Sequence, residues 1–340
     1  MPNKKIGLCV IGAGRAGMIH AENFLRGIPH AELIALADPL EESLETACRK
    51  LGISQKYLDY RAALENKNIK AVIVATPTVL HKEIVAAACM AGKHVLCEKP
   101  MAMNVSECDA MLHAAEDNKV KLQIGFMRRF DRSFREAKLA IEGGEIGDVV
   151  LVKSLTHGPS LPRKWMYDIR KSNGPLAEVN SHDIDTLRWY TGSEFKEVYA
   201  VAGNFRCPDA KAEYPDFYDN VVMNALFENG MQGVIDGAVS VQYGYDARVE
   251  ILGTRGIMFL GRLEDTSIVL CNSASRKIQP VTKSWRNLFK HAYLAEDESF
   301  IQSVLEDKTP EVTGYDGKMA VTVVSAGNRS ILEKKPISLK

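Results

Sequence analysis

The sequence predicts an α/β protein of two domains: a doubly wound parallel sheet, then an α+β domain built on an open, mostly antiparallel sheet. Three observations carry this. Short apolar runs alternate with amphipathic stretches over the first 125 residues. A glycine-rich turn joins the first run to the first amphipathic stretch. Beyond Gly125 the texture changes to longer runs in which apolar and polar residues alternate. A length of 340 residues exceeds one ordinary core and suits two.

In the first domain, residues 1–125, strands are expected at Ile6–Ile11, Leu33–Ala37, Ala71–Ala75, His94–Cys97 and Lys121–Ile124. Their near-continuous apolar character is that of parallel strands covered on both faces. Helices are expected at Arg15–Arg26, Glu41–Leu51 and Val79–Ala91, each followed by a glycine suited to the left-handed turn after a last helical residue. Asn104 followed by Glu107 reads as a capping box opening a helix at Val105–Asn118. Strand and helix in alternation make a doubly wound sheet.

The second domain, residues 126–340, opens with an amphipathic helix at Asp131–Glu142 and continues with strands at Val149–Thr156, Val198–Gly203, Val221–Phe227, Gln232–Ala238, Arg248–Leu252 and Ile257–Leu260. Alternation such as Arg248-Val249-Glu250-Ile251 fits a sheet with one wet face. Helices are expected at Asp297–Leu305 and Asp316–Glu333, the last packing on either domain.

Composition narrows the classes. Hydrophobic residues make up 46% and charged residues 25%, the proportions of a globular protein. Lysine plus arginine and aspartate plus glutamate both total 43, which argues against nucleic acid as partner. No run approaches the length of a membrane span, and the N-terminus lacks the pattern of a signal peptide. Seven scattered cysteines without metal-ligand spacing suggest reduced core thiols in a cytoplasmic protein and no metal site.

Gly12-Ala13-Gly14-Arg15-Ala16-Gly17 is a G-x-G-x-x-G at the junction of a strand and a helix. The first glycine allows the tight turn, the second lets a pyrophosphate approach the backbone, and the third lets helix and strand pack closely. Unpaired N–H groups at the helix start attract the phosphates. Asp38 follows Gly17 by 21 residues, close to the ~20 expected of the acidic ribose partner. The first domain therefore reads as a Rossmann dinucleotide-binding domain. A carboxylate at Asp38 accepts from ribose hydroxyls and repels a 2′-phosphate, so NAD is favoured over NADP. Arg15, inside the loop, is the one feature that speaks for NADP.

Glu98-Lys99-Pro100 follows the strand His94–Cys97, at the strand end where ligands of doubly wound sheets bind. Lys99 thus points where a nicotinamide would lie, and the Lys99–Pro100 bond is a candidate for the cis form. The alternative is a solvated lysine beside its salt-bridge partner. Downstream lies Glu178-Val179-Asn180-Ser181-His182-Asp183-Ile184-Asp185. Read as one helix, it places Glu178, His182 and Asp185 on one face. A histidine flanked by carboxylates suits proton transfer near neutrality; a polar helix face with a satisfied histidine is the alternative.

These motifs, with Ala75-Thr76-Pro77-Thr78-Val79-Leu80-His81, His182-Asp183-Ile184-Asp185, Arg188-Trp189 and Phe126-Met127-Arg128-Arg129-Phe130-Asp131, resemble the glucose–fructose oxidoreductase/inositol dehydrogenase (Gfo/Idh/MocA) family over essentially the full length. The resemblance implies an NAD-dependent dehydrogenase acting on a secondary alcohol of a cyclic polyol, such as an inositol, or a pyranose sugar. By that resemblance Lys99 orients the reacting hydroxyl and His182 removes its proton. Thr76, Pro77 and His81 line the cofactor crevice, Glu98 meets the nicotinamide-ribose side, and Trp165 packs near the nicotinamide. Asp185 contacts substrate or steadies the histidine. Glu178 stands where inositol dehydrogenases usually carry aspartate, and Asn173-Gly174 where many members have paired glycines.

Arg128, Glu178 and Asn180 join Lys99 and His182 as candidate substrate contacts. Arg128, Arg129, Arg163 and Arg170 admit a sugar acid, although pairing with nearby acids is the more ordinary use of arginine. Two other classes share the motifs: a redox-neutral glycosidase that uses NAD transiently, and a non-catalytic dinucleotide-sensing regulator. The open sheet and the resemblance both suggest a homo-oligomer, dimer or tetramer, formed through the C-terminal sheet.

Overall fold

Strands β1 (Ile6–Ile11), β2 (Ala31–Ala37), β3 (Gln55–Tyr57), β4 (Ile69–Val74), β5 (His94–Cys97) and β6 (Leu122–Ile124) form one sheet in the computed structural model of this protein, which describes residues 5–339. All its pairs are parallel, in the order β3-β2-β1-β4-β5-β6. Strand β1 is buried along its whole length, and β4 exposes only Lys70. Helices cover both faces, which is why these strands read as continuous apolar runs. The order reverses between β1 and β4, and ligand crevices of such sheets open at that point.

The expected helices are present at Arg15–Leu25, Glu41–Leu51, His81–Met90 and Val105–Asp117. A 3-10 turn, Thr78–Leu80, precedes the third. The Asn104 side chain accepts from the N–H of Glu107, and the Glu107 carboxylate returns a bond to the N–H of Met103. Strand β3 and a short helix at Tyr60–Glu65 were not expected. Both lie at the sheet's edge in a polar stretch with little apolar periodicity.

The chain divides into two compact units, and the division differs from a cut at Gly125. The first unit runs to Phe130 and regains His291–Val321; the second holds Asp131–Lys290 and Thr322–Lys340. The returning segment contains the helix Lys290–Leu305, longer than the expected Asp297–Leu305, whose Phe300 and Ile301 join the core of Leu8, Val10, Phe24 and Leu36. Apolar surface left by the parallel sheet draws this distant helix in, and local periodicity carries no record of that. The helix Gly314–Glu333 is shared, its residues from Thr322 onward belonging to the second unit.

The second unit is built on β7 (Val149–Gly158), β8 (Phe195–Gly203), β9 (Asn220–Phe227), β10 (Gln232–Val239), β11 (Asp246–Gly253) and β12 (Ile257–Leu260). A small hairpin, β13 (Leu270–Cys271) and β14 (Lys277–Ile278), stands apart, and β15 (Ile337–Ser338) closes one edge. The sheet order is β12-β11-β7-β10-β9-β8-β15, antiparallel except for the pair β7–β10. Helices Gly174–Glu178 and Ser181–Thr191 cover one face. The other face carries exposed Val201 opposite Val222, and Leu252 opposite Ile257, with exposed Tyr199, Leu226 and Phe259.

Candidate functional site

The turn after β1 is shaped by contact. Gly12 has φ +102°, and a Cβ there would stand 2.5 Å from the carbonyl oxygen of Ala75. A Cβ on Gly17 would lie 1.8 Å from the carbonyl oxygen of Gly12, so only glycine lets this helix sit so close to β1. Gly14 is different: nothing lies within 4 Å of a Cβ built there. It faces open space beside exposed Arg15 and half-buried Ala13 and Ala16. Gly14 caps the helix without a side-chain bond, and the first turn holds no acidic residue. A helix N-terminus of this kind attracts an anion.

Asp38, half-buried after β2, holds this turn. Its Oδ2 accepts from the N–H of Ala13 at 2.8 Å and its Oδ1 from Leu40 at 2.9 Å. Each carboxylate oxygen keeps a further lone pair for a ribose hydroxyl. An open anion-binding turn with a carboxylate beside it fits a dinucleotide with an unmodified ribose.

After β4, Thr76 is half-buried and Pro77 exposed. His81 turns inward: its ring nitrogens lie 2.8 Å from the carbonyl oxygen of Pro100 and 2.9 Å from that of Thr76. Burial holds it below the usual histidine range, and the neutral imidazole, with a single N–H, donates to one of these two carbonyls at a time. Lys99 emerges half-buried at the end of β5, ahead of a cis bond to Pro100. Glu98 is buried, its Oε2 accepting from the N–H of Lys99 at 3.0 Å and its Oε1 standing 3.4 Å from Nε2 of His20. Burial by itself would raise the Glu98 carboxyl, but His20 and Lys99 more than offset this and hold it below the ordinary value. Sequence reasoning missed His20 and Asp297, which the structure joins to Glu98. The available signal was a polar residue inside an apolar stripe: His20 beside Gly17, Ala21 and Phe24, and Asp297 beside Phe300 and Ile301.

In the second unit the expectation of one helix through Glu178, His182 and Asp185 is corrected. Glu178 ends the helix Gly174–Glu178, and His182 and Asp185 belong to the next, Ser181–Thr191. The break falls at Val179 and Asn180, whose N–H groups both bond the carbonyl of Pro175. Asn180 is internal: its Nδ2 donates to Asp183 at 2.8 Å, and its Oδ1 fills the space a side chain at Gly237 would need. Asp183 also accepts from Ser154 at 2.5 Å and Thr156 at 2.9 Å, so a fully buried carboxylate bolts the His182 helix to β7. His182 and Asp185 are buried in the first turns of that helix, and Glu178 is half-buried.

Asn173 and Gly174 both have positive φ, 56° and 69°. Asparagine is among the few residues that tolerate this region, so Asn173 keeps the conformation that paired glycines would take. Trp165 is half-buried on a 3-10 turn, Lys164–Tyr167. Arg129 donates to Asp316 at 3.0 Å, and Arg170 grips Asp168 with two nitrogens. Arg128 is buried and Arg163 exposed. No group of three or more histidines, cysteines or acids that could hold a metal occurs among the described residues, and none of their helices is long and apolar enough to cross a membrane.

Comparison with known proteins gives concordant matches. Residues 6–126 match the Gfo/Idh/MocA oxidoreductase family, NAD-binding Rossmann fold, and residues 134–259 its C-terminal domain. A myo-inositol 2-dehydrogenase of Thermotoga maritima is 35% identical over 331 residues, 97% of this chain and 98% of that protein. A scyllo-inositol 2-dehydrogenase (NAD(+)) of Bacillus subtilis is 31% identical, covering 97% of this chain and 95% of its own. The crystal structure of scyllo-inositol dehydrogenase from Lactobacillus casei, with bound NAD(H) and scyllo-inositol, superposes with a TM-score of 0.89 at 26% identity, covering 98% of this chain and 99% of that one.

Proposed function

This chain belongs to the Gfo/Idh/MocA oxidoreductase family, and from that premise we propose that it oxidises a secondary hydroxyl of a cyclic polyol, an inositol before a pyranose sugar. The chain is an NAD-dependent dehydrogenase acting on CH–OH groups. NAD, when bound, exchanges a hydride with the carbinol carbon; the chain's own residues supply the rest. Gly12, Gly14 and the N–H groups of the following helix receive the pyrophosphate, while Asp38 takes the ribose hydroxyls and repels a 2′-phosphate. The Lys99 ammonium favours the alkoxide by placing positive charge beside the oxygen. His182 takes the proton as general base, and Asp185 and Glu178 orient the polyol.

The observation that carries this reading is Lys99, half-buried at the C-terminal end of β5 in the same sheet that bears the glycine turn. The relatives named above favour inositol. We assign the enzyme to the cytoplasm, a reading supported by seven free cysteines, six of them buried, and to a homo-oligomer formed through the exposed sheet face of the second unit.

The test is NADH formation across inositols, aldoses and sugar acids, with NADP in parallel. Inositol turnover that Lys99→Ala lowers by about three orders of magnitude or more, a loss near 4 kcal/mol of transition-state stabilisation, with NAD still bound, is the expected result. Silence on every polyol with NAD bound would overturn it and favour the redox-neutral glycosidase or the dinucleotide sensor. Normal turnover by Lys99→Ala would remove the lysine from the mechanism.

A further inference from the structure

The helix Lys290–Leu305 sends two adjacent carboxylates, Glu296 and Asp297, into the interior of the first unit, both 0% exposed. Asp297 is met by His20 of the helix Arg15–Leu25, Nδ1 to Oδ1 2.6 Å, and by Asn23, whose Nδ2 donates to Oδ2 at 2.9 Å. The far side of the same imidazole faces Glu98, which in turn accepts from the N–H of Lys99. Four groups therefore run in series from a helix late in the chain to the peptide that carries Lys99. Tyr293 packs edge-on against the ring, 5.5 Å between centroids.

Burying charge is expensive, and apolar side chains at these positions would stabilise a core at least as well. His20 and Asp297 each interrupt an apolar stripe, so the series is costly where a plain core would serve. It is also directional. Every bond in it leads toward the end of β5.

We propose that His20 is a positioning residue for the hydride-transfer reaction: the Asp297–His20–Glu98 series fixes the Glu98–Lys99 peptide and thereby the direction in which the Lys99 side chain leaves the strand. This rests on the reading of Lys99 as the lysine that meets the reacting hydroxyl. The titratable groups around the ring are Asp297 and Glu98 in contact, Glu296 beside Asp297, and Lys99 beyond Glu98. Burial alone would drive His20 neutral; the two carboxylates outweigh it and hold the imidazolium well above the usual histidine range. A charged ring donates from both nitrogens at once, as the series requires.

His20→Gln removes the ring charge while keeping a hydrogen-bonding side chain, and Asp297→Asn is the second variant should the first fail to fold. Three readouts apply: thermal melting, NAD affinity by quenching of tryptophan fluorescence, and acetylation of the Lys99 amine by acetic anhydride, followed by mass spectrometry against exposed Lys67. Expected for a folded variant are an NAD Kd within about threefold, an unchanged Lys67 rate, and a Lys99 rate changed by about threefold or more. On any polyol the enzyme turns over, kcat should fall about 10- to 100-fold with KM little altered, the scale of a small misplacement of a reacting group. An unchanged Lys99 rate in a folded variant overturns the positioning role whatever the substrate. A changed Lys99 rate in an enzyme that oxidises no polyol keeps that role and rejects the substrate reading instead.

Discussion

Asp38 buttresses the glycine turn through Ala13 and Leu40, and the proposed function gives the same carboxylate a second job, repelling a 2′-phosphate. Asp38→Ala should narrow the NAD over NADP ratio of kcat/KM by about tenfold or more, the scale of losing charged hydrogen bonds and a repulsion together. An unchanged ratio, measured with both cofactors, would mean that this carboxylate does not read the ribose. Glu296 offers a test of burial. Neither of its carboxylate oxygens has a hydrogen-bond partner, and burial, reinforced by Glu98, pushes its pKa well above the ordinary 4.5. The fold therefore holds the protonated acid, and this contribution is whole below the unfolded value and lost as pH rises toward the native one. Glu296→Gln carries no charge and should raise Tm at neutral pH, by about 2–4 °C for each kcal/mol recovered. Near pH 4.5 that gain should vanish, which melting curves at the two pH values will check.

The helix Ser181–Thr191 gives the clearest lesson about elements. Spacing of i, i+4 and i+7 placed Glu178, His182 and Asp185 on one face, yet the helix restarts between the first and second of them. Nothing in that octapeptide is a strong breaker. The restart is enforced by the sheet below, where Ser154 and Thr156 bind Asp183 and Gly237 makes room for Asn180. Asp183→Ala should accordingly cost about 3 kcal/mol in urea denaturation, because three buried donors lose their acceptor together. A loss below about 1 kcal/mol would mean that the helix is held by its apolar contacts alone. Asn104 and Glu107 are the opposite case, since the bonds that open that helix join residues four apart or fewer.

At the scale of the molecule, the glycine turn, Asp38 and Lys99 belong to the first unit, and Glu178, His182 and Asp185 to the second. The second unit also has a sheet face on which Val201 pairs with Val222 and Leu252 with Ile257, all exposed. Burying such a face against a second copy is the economical solution for an open sheet. Val222→Lys, placed mid-strand, should shift the enzyme toward monomer in sedimentation velocity while each unit stays folded. An unaltered sedimentation coefficient would reject this face as an interface between copies.

Sequence alone determined what depends on neighbours along the chain. The glycine turn, the carboxylate of Asp38 after β2 and the lysine after β5 are local patterns, because strand-end geometry is set within a few residues of each strand. The alternation of short apolar runs determined the sheet type for the same reason. Tertiary structure decided what depends on partners far away. His20 meets Asp297 at a separation of 277 residues along the chain, Ser154 of the sheet meets Asp183 of the helix above it, and His291–Val321 returns to the first unit to cover apolar strands. A buried charge is stable only where its partners and its low-dielectric surroundings converge, and that convergence is a property of the packed core rather than of any window of sequence.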